Sequence, residues 1–225
     1  MTLEDAPCVL RSDAERNRAR ILAAARQVFA TEGLSASMAS VAREAGVGIA
    51  TMFRRFPTKE ELIAGVFADR MNDYAQAAIA GLEDEDPWRG LSGFIERACE
   101  LQAADSGFAD VLTIAFPGAK ELDDRRAVAY DATVRLIERA KAAGRLREDF
   151  TPEDLMLLHM ANAGVIAATR DHAPTAWRRV TAQLLQSFQP PSRGILPAAP
   201  SASALHNAML NPRRRNWHGA DPQTE

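Results

Sequence analysis

The stretch from Ser37 to Leu62 constrains this chain most tightly, because it holds two helical segments, each too short to persist alone, meeting at Gly46. Ser37 has the side chain of a helix N-cap, whose oxygen accepts from an otherwise unpaired backbone N–H. Val41, Ala42 and Ala45 place small apolar groups on one face of the first segment. Gly46 supplies the positive φ that a tight turn demands, and Val47 plugs the corner. The second segment runs from Ile49 to Arg55, with Gly48 before it. Phe56-Pro57 ends it, since the residue before a proline is driven out of the helical region. Thr58-Lys59-Glu60-Glu61 then has capping-box spacing for a further helix.

A longer helix is needed to roof the pair, and one precedes it. Ser12-Asp13-Ala14-Glu15 has capping-box spacing, and Ile21, Leu22, Ala25, Val28 and Phe29 form a stripe of helical period ending before Gly33. Arg16, Arg18, Arg20 and Arg26 lie on the same helix. Two helices across a short glycine turn, packed under a third, are the helix-turn-helix arrangement. A basic, aromatic second helix suits the DNA major groove.

Charge is divided to match. Residues 11–59 carry nine Lys/Arg against four Asp/Glu, a net of +5, whereas residues 60–189 carry 14 against 22, a net of −8. A basic end on an acidic body fits one polyanion-binding surface and a body held away from it. The 225 residues have 47% hydrophobic and 25% charged side chains, an ordinary globular composition. No apolar run reaches the roughly 18 residues of a membrane helix, and the acidic N-terminus has no signal-peptide core, so a cytoplasmic protein is expected. Cys8 and Cys99 form no CxxC pair and the four histidines have no metal-ligand spacing. No glycine-rich phosphate loop, GxSxG or Cys/His set is present, so neither enzyme, metal nor cofactor is expected.

Beyond Lys59 the reading is helical throughout, giving an all-α fold. A fourth helix, from about Lys59 to Ala80, carries Leu62, Ile63, Val66, Phe67, Met71, Tyr74 and Ala78 on one stripe and spans roughly 30 Å. Further helices follow, one from Pro87 through Phe94, Ile95, Cys99 and Leu101, then others at 105–116, at 119–142, at about 152–170 and at about 174–189. The helix at 152–170 is apolar on nearly every side, which demands neighbours on every side. The expected organisation is a disordered arm at 1–11, a three-helix DNA-binding domain at 12–62, a larger helical regulatory and dimerisation domain at 63–189, and a mostly disordered tail at 190–225. Arg213, Arg214, Arg215 and Trp217 in that tail are read as solvated.

RARILAAARQVFATEG followed by SMASVAREAGVGIATMFRRFPTKEEL resembles the DNA-binding domain of the TetR/AcrR family of bacterial repressors over about residues 15–65. The resemblance implies an Ω-shaped homodimer that binds a palindromic operator in double-stranded DNA and is released by a small molecule. Its DNA-contacting positions fall here on Arg20, Ser37, Gly48, Ile49, Ala50, Thr51, Phe53, Arg54, Arg55 and Lys59. Phe53 stands where the family usually has Tyr, and Gly48 where it has Ser or Thr, so two phosphate contacts are lost. Affinity should then lean on Arg54, Arg55, Lys59 and the arginines of the first helix. The last two helices would form the dimer interface, with Ala161, Gly164, Ala168, Trp177, Leu184 and Phe188 in it. A largely apolar ligand is expected among Phe67, Met71, Phe94, Cys99, Phe108, Phe116, Met156, His159, Met160 and Asn162, with His159 and Asn162 orienting it. The rival reading is a DNA-binding or architectural protein without a small-molecule ligand.

Overall fold

A computed structural model describes residues 6–191, 194 and 196–210, with side chains from Glu15 onward. Arg213, Arg214, Arg215 and Trp217 lie outside the described residues, as does the side chain of Cys8. Ten helices and no strand are found among the described residues. They are α1 (Ala6–Glu32), α2 (Met38–Glu44), α3 (Ile49–Arg55), α4 (Lys59–Glu83), α5 (Pro87–Ala104), α6 (Ser106–Thr113), α7 (Lys120–Ala142), α8 (Pro152–Thr169), α9 (Ala176–Phe188) and α10 (Ala202–Leu210).

The helix starts follow local chemistry. Thr58 Oγ1 accepts from Glu61 N at 3.1 Å and opens α4. Asp86 Oδ1 accepts from Trp88 N and opens α5, with Pro87 at the first helical position, where a missing N–H costs nothing. Thr151 and Asp154 form a reciprocal capping box on α8. At the far end of α4, the Arg139 guanidinium donates to the Leu82 and Asp84 carbonyls at 2.5 and 2.6 Å, pairing acceptors that a helix C-terminus leaves open.

Two boundaries differ from expectation. α1 begins at Ala6, so residues 6–11 are helix rather than a disordered arm. Pro7 falls in the first turn, where it is tolerated, and the ladder runs through the Ser12 position instead of starting there. The tail also contains structure, since α10 occupies 202–210, with Ser201 Oγ accepting from Ala204 N at its start. The Pro, Ser and Ala content of residues 190–201 masked a short helix with Leu205 and Met209 one turn apart.

One hydrophobic cluster runs from Ile21 and Phe29 of α1 through Met52, Phe56, Leu62 and Phe67 to Phe108, Val111 and Leu122. It crosses the expected 62/63 boundary without a break, and α1 rests directly on α4 and α6. A second cluster joins the later part of α4 to α5, α7, α8 and α9 around Leu91, Phe94, Ile95, Cys99, Leu136 and Trp177. Within it, α4 and α5 cross closely at Gly81 and Gly90.

Candidate nucleic-acid interface and regulatory cavity

The helix pair is built by its caps and its glycine. Ser37 Oγ accepts from Ser40 N at 3.0 Å, capping α2. Gly46 takes φ +62°, and Val47 N bonds back to Ala42 O at 3.0 Å, closing the turn. A Cβ at Gly46 would also meet Arg20 Nη2 at 3.3 Å. Arg20 is there because its Nη2 donates to the Ala45 carbonyl at 2.7 Å and the Gly46 carbonyl at 3.4 Å. This arginine therefore ties α1 to the turn.

The other α1 arginines on this side are similarly engaged. Arg18 lies 5.5 Å over the Phe56 ring, and Arg26 donates to Val66 O at 2.9 Å. Arg18, Arg20 and Arg26 thus tie α1 to its neighbours while remaining exposed, so each keeps N–H groups toward solvent.

α3 presents a sorted surface. Met52 is fully buried and anchors the helix, so it offers nothing to a groove. Ile49 and Phe53 are 46% and 47% exposed, and Ala50, Arg54 and Arg55 are exposed beside them. Arg54 Nη2 donates to Thr51 Oγ1 at 2.9 Å, which orients the guanidinium along the helix. Lys59 is half-buried in the first turn of α4, and burial pushes its ammonium below the usual lysine range, against the opposing effect of Glu60. Gly48 precedes α3 with no side-chain cap. The exposed Phe53 ring has room for a hydroxyl, so Phe53→Tyr should preserve or tighten DNA binding in a titration of folded protein. Loss of binding would show that the ring does not sit beside a phosphate.

A cavity of about 380 Å³ lies in the larger domain, walled by Tyr74 of α4, Leu112 of α6, Arg126, Tyr130 and Thr133 of α7, Pro152, Glu153, Leu155, Met156 and His159 of α8, and residues of α10. Of the ten expected ligand residues, Met156 and His159 line it. Phe67, Met71 and Phe108 are buried in the first core cluster, and Phe94 and Cys99 in the second. Phe116 packs on the first cluster with Arg126 lying over its ring at 5.8 Å, and Met160 is half-buried outside the lining. Burial raises the Cys99 thiol to about 11, leaving an inert packing group. The apolar stripes marked these residues as interior, but interior packing and cavity lining share one sequence signal.

Asn162 is buried off the cavity, donating to Gln102 Oε1 at 2.9 Å while Gln102 Nε2 donates to the His159 carbonyl at 3.1 Å. The polar wall instead pairs Tyr74 with His159, hydroxyl to Nε2 at 3.3 Å. Burial lowers the His159 imidazole to about 4 and pushes the Tyr74 hydroxyl well above its usual range, so both are neutral. With Tyr74 donating to Nε2, the imidazole proton sits on Nδ1, a buried donor with no partner among the described residues. The opposite tautomer would leave the tyrosine proton unpaired as well.

Arg126 is the cation of this wall, and sequence reading missed it. Its Nη2 donates to the carbonyls of Val111 and Ile114, and burial lowers its basicity. An arginine on an otherwise polar α7 face gives no sequence sign of pointing inward.

The His159 environment sets a pH dependence. Its folded pKa lies below the unfolded value, so the unfolded chain takes up the proton first and stability falls as pH drops from about 6.5 toward 4. Wild type should lose about 2 kcal/mol more than His159→Gln between pH 7 and pH 5 in denaturant titrations. Equal losses would show that His159 is solvated.

On α8, Leu157, Ala161, Gly164 and Ala168 form an exposed seam, and a Cβ at Gly164 would meet nothing within 4 Å. Trp177 faces inward instead, 5% exposed in the second core cluster. Leu184 and Phe188 also pack partly inward, Phe188 edge-on to Phe150 at 4.8 Å. Trp177 thus serves the chain's own core, whereas Leu184 and Phe188 each keep part of their surface exposed on α9.

The model for bacterial regulatory proteins of the tetR family matches residues 21–66, and the model for the C-terminal domain of SbtR-like transcriptional regulators matches residues 86–186. Among solved structures, a tetR family transcription regulator from Shewanella sp. PV-4 is 23% identical over 77% of this chain and 98% of its own, with a TM-score of 0.56. FadR from Bacillus subtilis, in complex with stearoyl-CoA, is 19% identical over 74% of this chain and 96% of its own, with a TM-score of 0.53. The TetR regulator SCO0520 from Streptomyces coelicolor is 30% identical over 78% of this chain and 99% of its own, with a TM-score of 0.48. With matched models over both its head and its body, and the helix-turn-helix geometry in place, the chain belongs to the TetR family of transcriptional regulators.

Proposed function

We propose that this protein is a homodimeric repressor that reads a palindromic operator and is released from it by a small, largely apolar ligand. The observation that carries the reading is the division of α3, with Met52 buried while Ile49, Ala50, Phe53, Arg54 and Arg55 face outward. Arg54 and Arg55 supply phosphate or guanine contacts, and Ile49 and Ala50 supply apolar contacts suited to thymine methyls. Thr51 steadies Arg54, Ser37 and Gly48 set the starts of the two helices, and Lys59 adds a charge at the start of α4. Pairing two subunits through the exposed α8 seam would present two such helices to successive major grooves, about 34–36 Å apart.

Ligand response rests on the cavity beside α4, the helix that also begins at the DNA-binding head. The Bacillus subtilis FadR structure is a complex with stearoyl-CoA. In the present chain, an apolar chamber with a buried imidazole donor suits a hydrophobic molecule carrying an acceptor oxygen. The ligand acts by binding one head separation better than the other.

Footprinting across the promoter beside the protein's own gene tests this. One protected palindrome, released by an added metabolite, is the expected result. Salt-sensitive binding without site preference would favour the architectural reading instead.

A further inference from the structure

Ala202, Leu205, His206 and Met209 line the cavity, and their spacing puts them on a single face of α10. The tail helix therefore forms the outer wall of the chamber whose inner wall holds Tyr74 and His159. Its hold is slight. Leu205 is its one buried residue, and Ala115 N donates to Met209 O at 3.1 Å to link its backbone to the body. It belongs to neither core cluster. A nine-residue helix is marginal alone in water, so α10 keeps its helical form by staying seated.

The seat lies on a sensitive element. Ala115 follows α6, whose C-terminal carbonyls Arg126 holds from inside. α6 packs on α1 and α4. The contact is tight: a Cβ at Gly107 would lie 2.6 Å from Phe67 Cζ. Phe67 in turn stacks on Phe29 of α1, with ring centroids 6.4 Å apart. α6 thus links the seat of α10 to the packing under the DNA-binding head.

We propose that α10 is a detachable stopper, occupying the mouth of the effector cavity until a ligand displaces it and thereby freeing the α6 corner that supports the head. The proposal rests on the reading of this cavity as the effector site. It makes the tail a competitor of the ligand, so effector affinity is reduced by the fraction of time the stopper is seated.

The test uses 1-anilinonaphthalene-8-sulfonate, an apolar anionic dye, and needs no DNA. Three proteins are titrated: the full chain, the full-length Leu205→Asp/Met209→Asp variant, and a chain ending at Leu196. Both altered proteins should bind the dye at least about tenfold more tightly than wild type while keeping a cooperative thermal transition. A peptide of residues 200–210 should compete with the dye on the shortened chain, and adding Met156→Trp, which fills the chamber, should remove the gain. Equal dye affinity in wild type and the shortened chain would overturn the stopper, as would a gain that survives Met156→Trp. Footprinting of the same proteins separates the two ideas: a stopper confirmed by dye on a chain that protects no operator would sink the repressor reading alone.

Discussion

Replacing Arg54 and Arg55 together with alanine should weaken operator binding by roughly two to three orders of magnitude at moderate salt. Both guanidinium groups stand on the exposed face of α3, and neither supports the core. Their removal deletes two charges from the phosphate-facing surface and any guanine readout they provide. The slope of log affinity against log salt should become shallower by about two if both contact phosphate. Arg54→Ala also frees Thr51 Oγ1, its partner at 2.9 Å, so the single variant loses orientation as well as charge. Quantitative gel-shift or anisotropy titrations over a salt series, with melting curves confirming an unchanged fold, supply the measurement. Unaltered affinity would place the reading surface somewhere other than α3.

Gly90→Val should destabilise the fold by more than about 3 kcal/mol, and even Gly90→Ala should be severe. A Cβ at Gly90 would lie 2.2 Å from the Gly81 carbonyl oxygen, and one at Gly81 would lie 2.7 Å from the Gly90 oxygen. The clash is with backbone on both sides, so no rotamer change relieves it. α5 would have to move off α4, opening the second core cluster around Leu91, Phe94 and Leu136. Gly93 provides the internal control, since it sits on the same helix and a Cβ there meets nothing within 4 Å. Gly93→Ala should be neutral or stabilising by up to about 1 kcal/mol through helix propensity alone. Urea titrations of the pair decide the point: similar stabilities for Gly90→Ala and Gly93→Ala would mean that α4 and α5 do not approach as described.

The head was more legible than the body. Ser37, Gly46, Phe56-Pro57 and Thr58 each act on backbone within a few residues, so their caps, turn and stop can be read from neighbours in the chain. Val41 and Leu62, placed on apolar helix faces, and Phe56 at the stop are buried in the structure, whereas Val47 at the corner is half-buried. The same logic does not separate core from cavity wall: Met156 and His159 line the chamber, while other members of the apolar stripes pack in the cores. Phe67, Met71, Phe94 and Phe108 obey the apolar stripe, but the chamber opened beside Tyr74, Arg126 and His159, where helices distant in sequence leave a gap.

By itself, the amino-acid sequence determined the helices up to Phe188, the glycine turn, the charged face of α3 and the family, because caps, glycine φ and apolar period act over one or two helical turns. Tertiary structure alone decided that Arg20 braces the turn, that Trp177 faces the subunit's own core and that α10 closes the cavity. Each depends on a partner far away along the chain: Ala45 for Arg20, the second core cluster for Trp177, and Ala115 for the backbone of Met209. Such contacts form only once the intervening chain has packed, and no local pattern records where a side chain's distant partner will be.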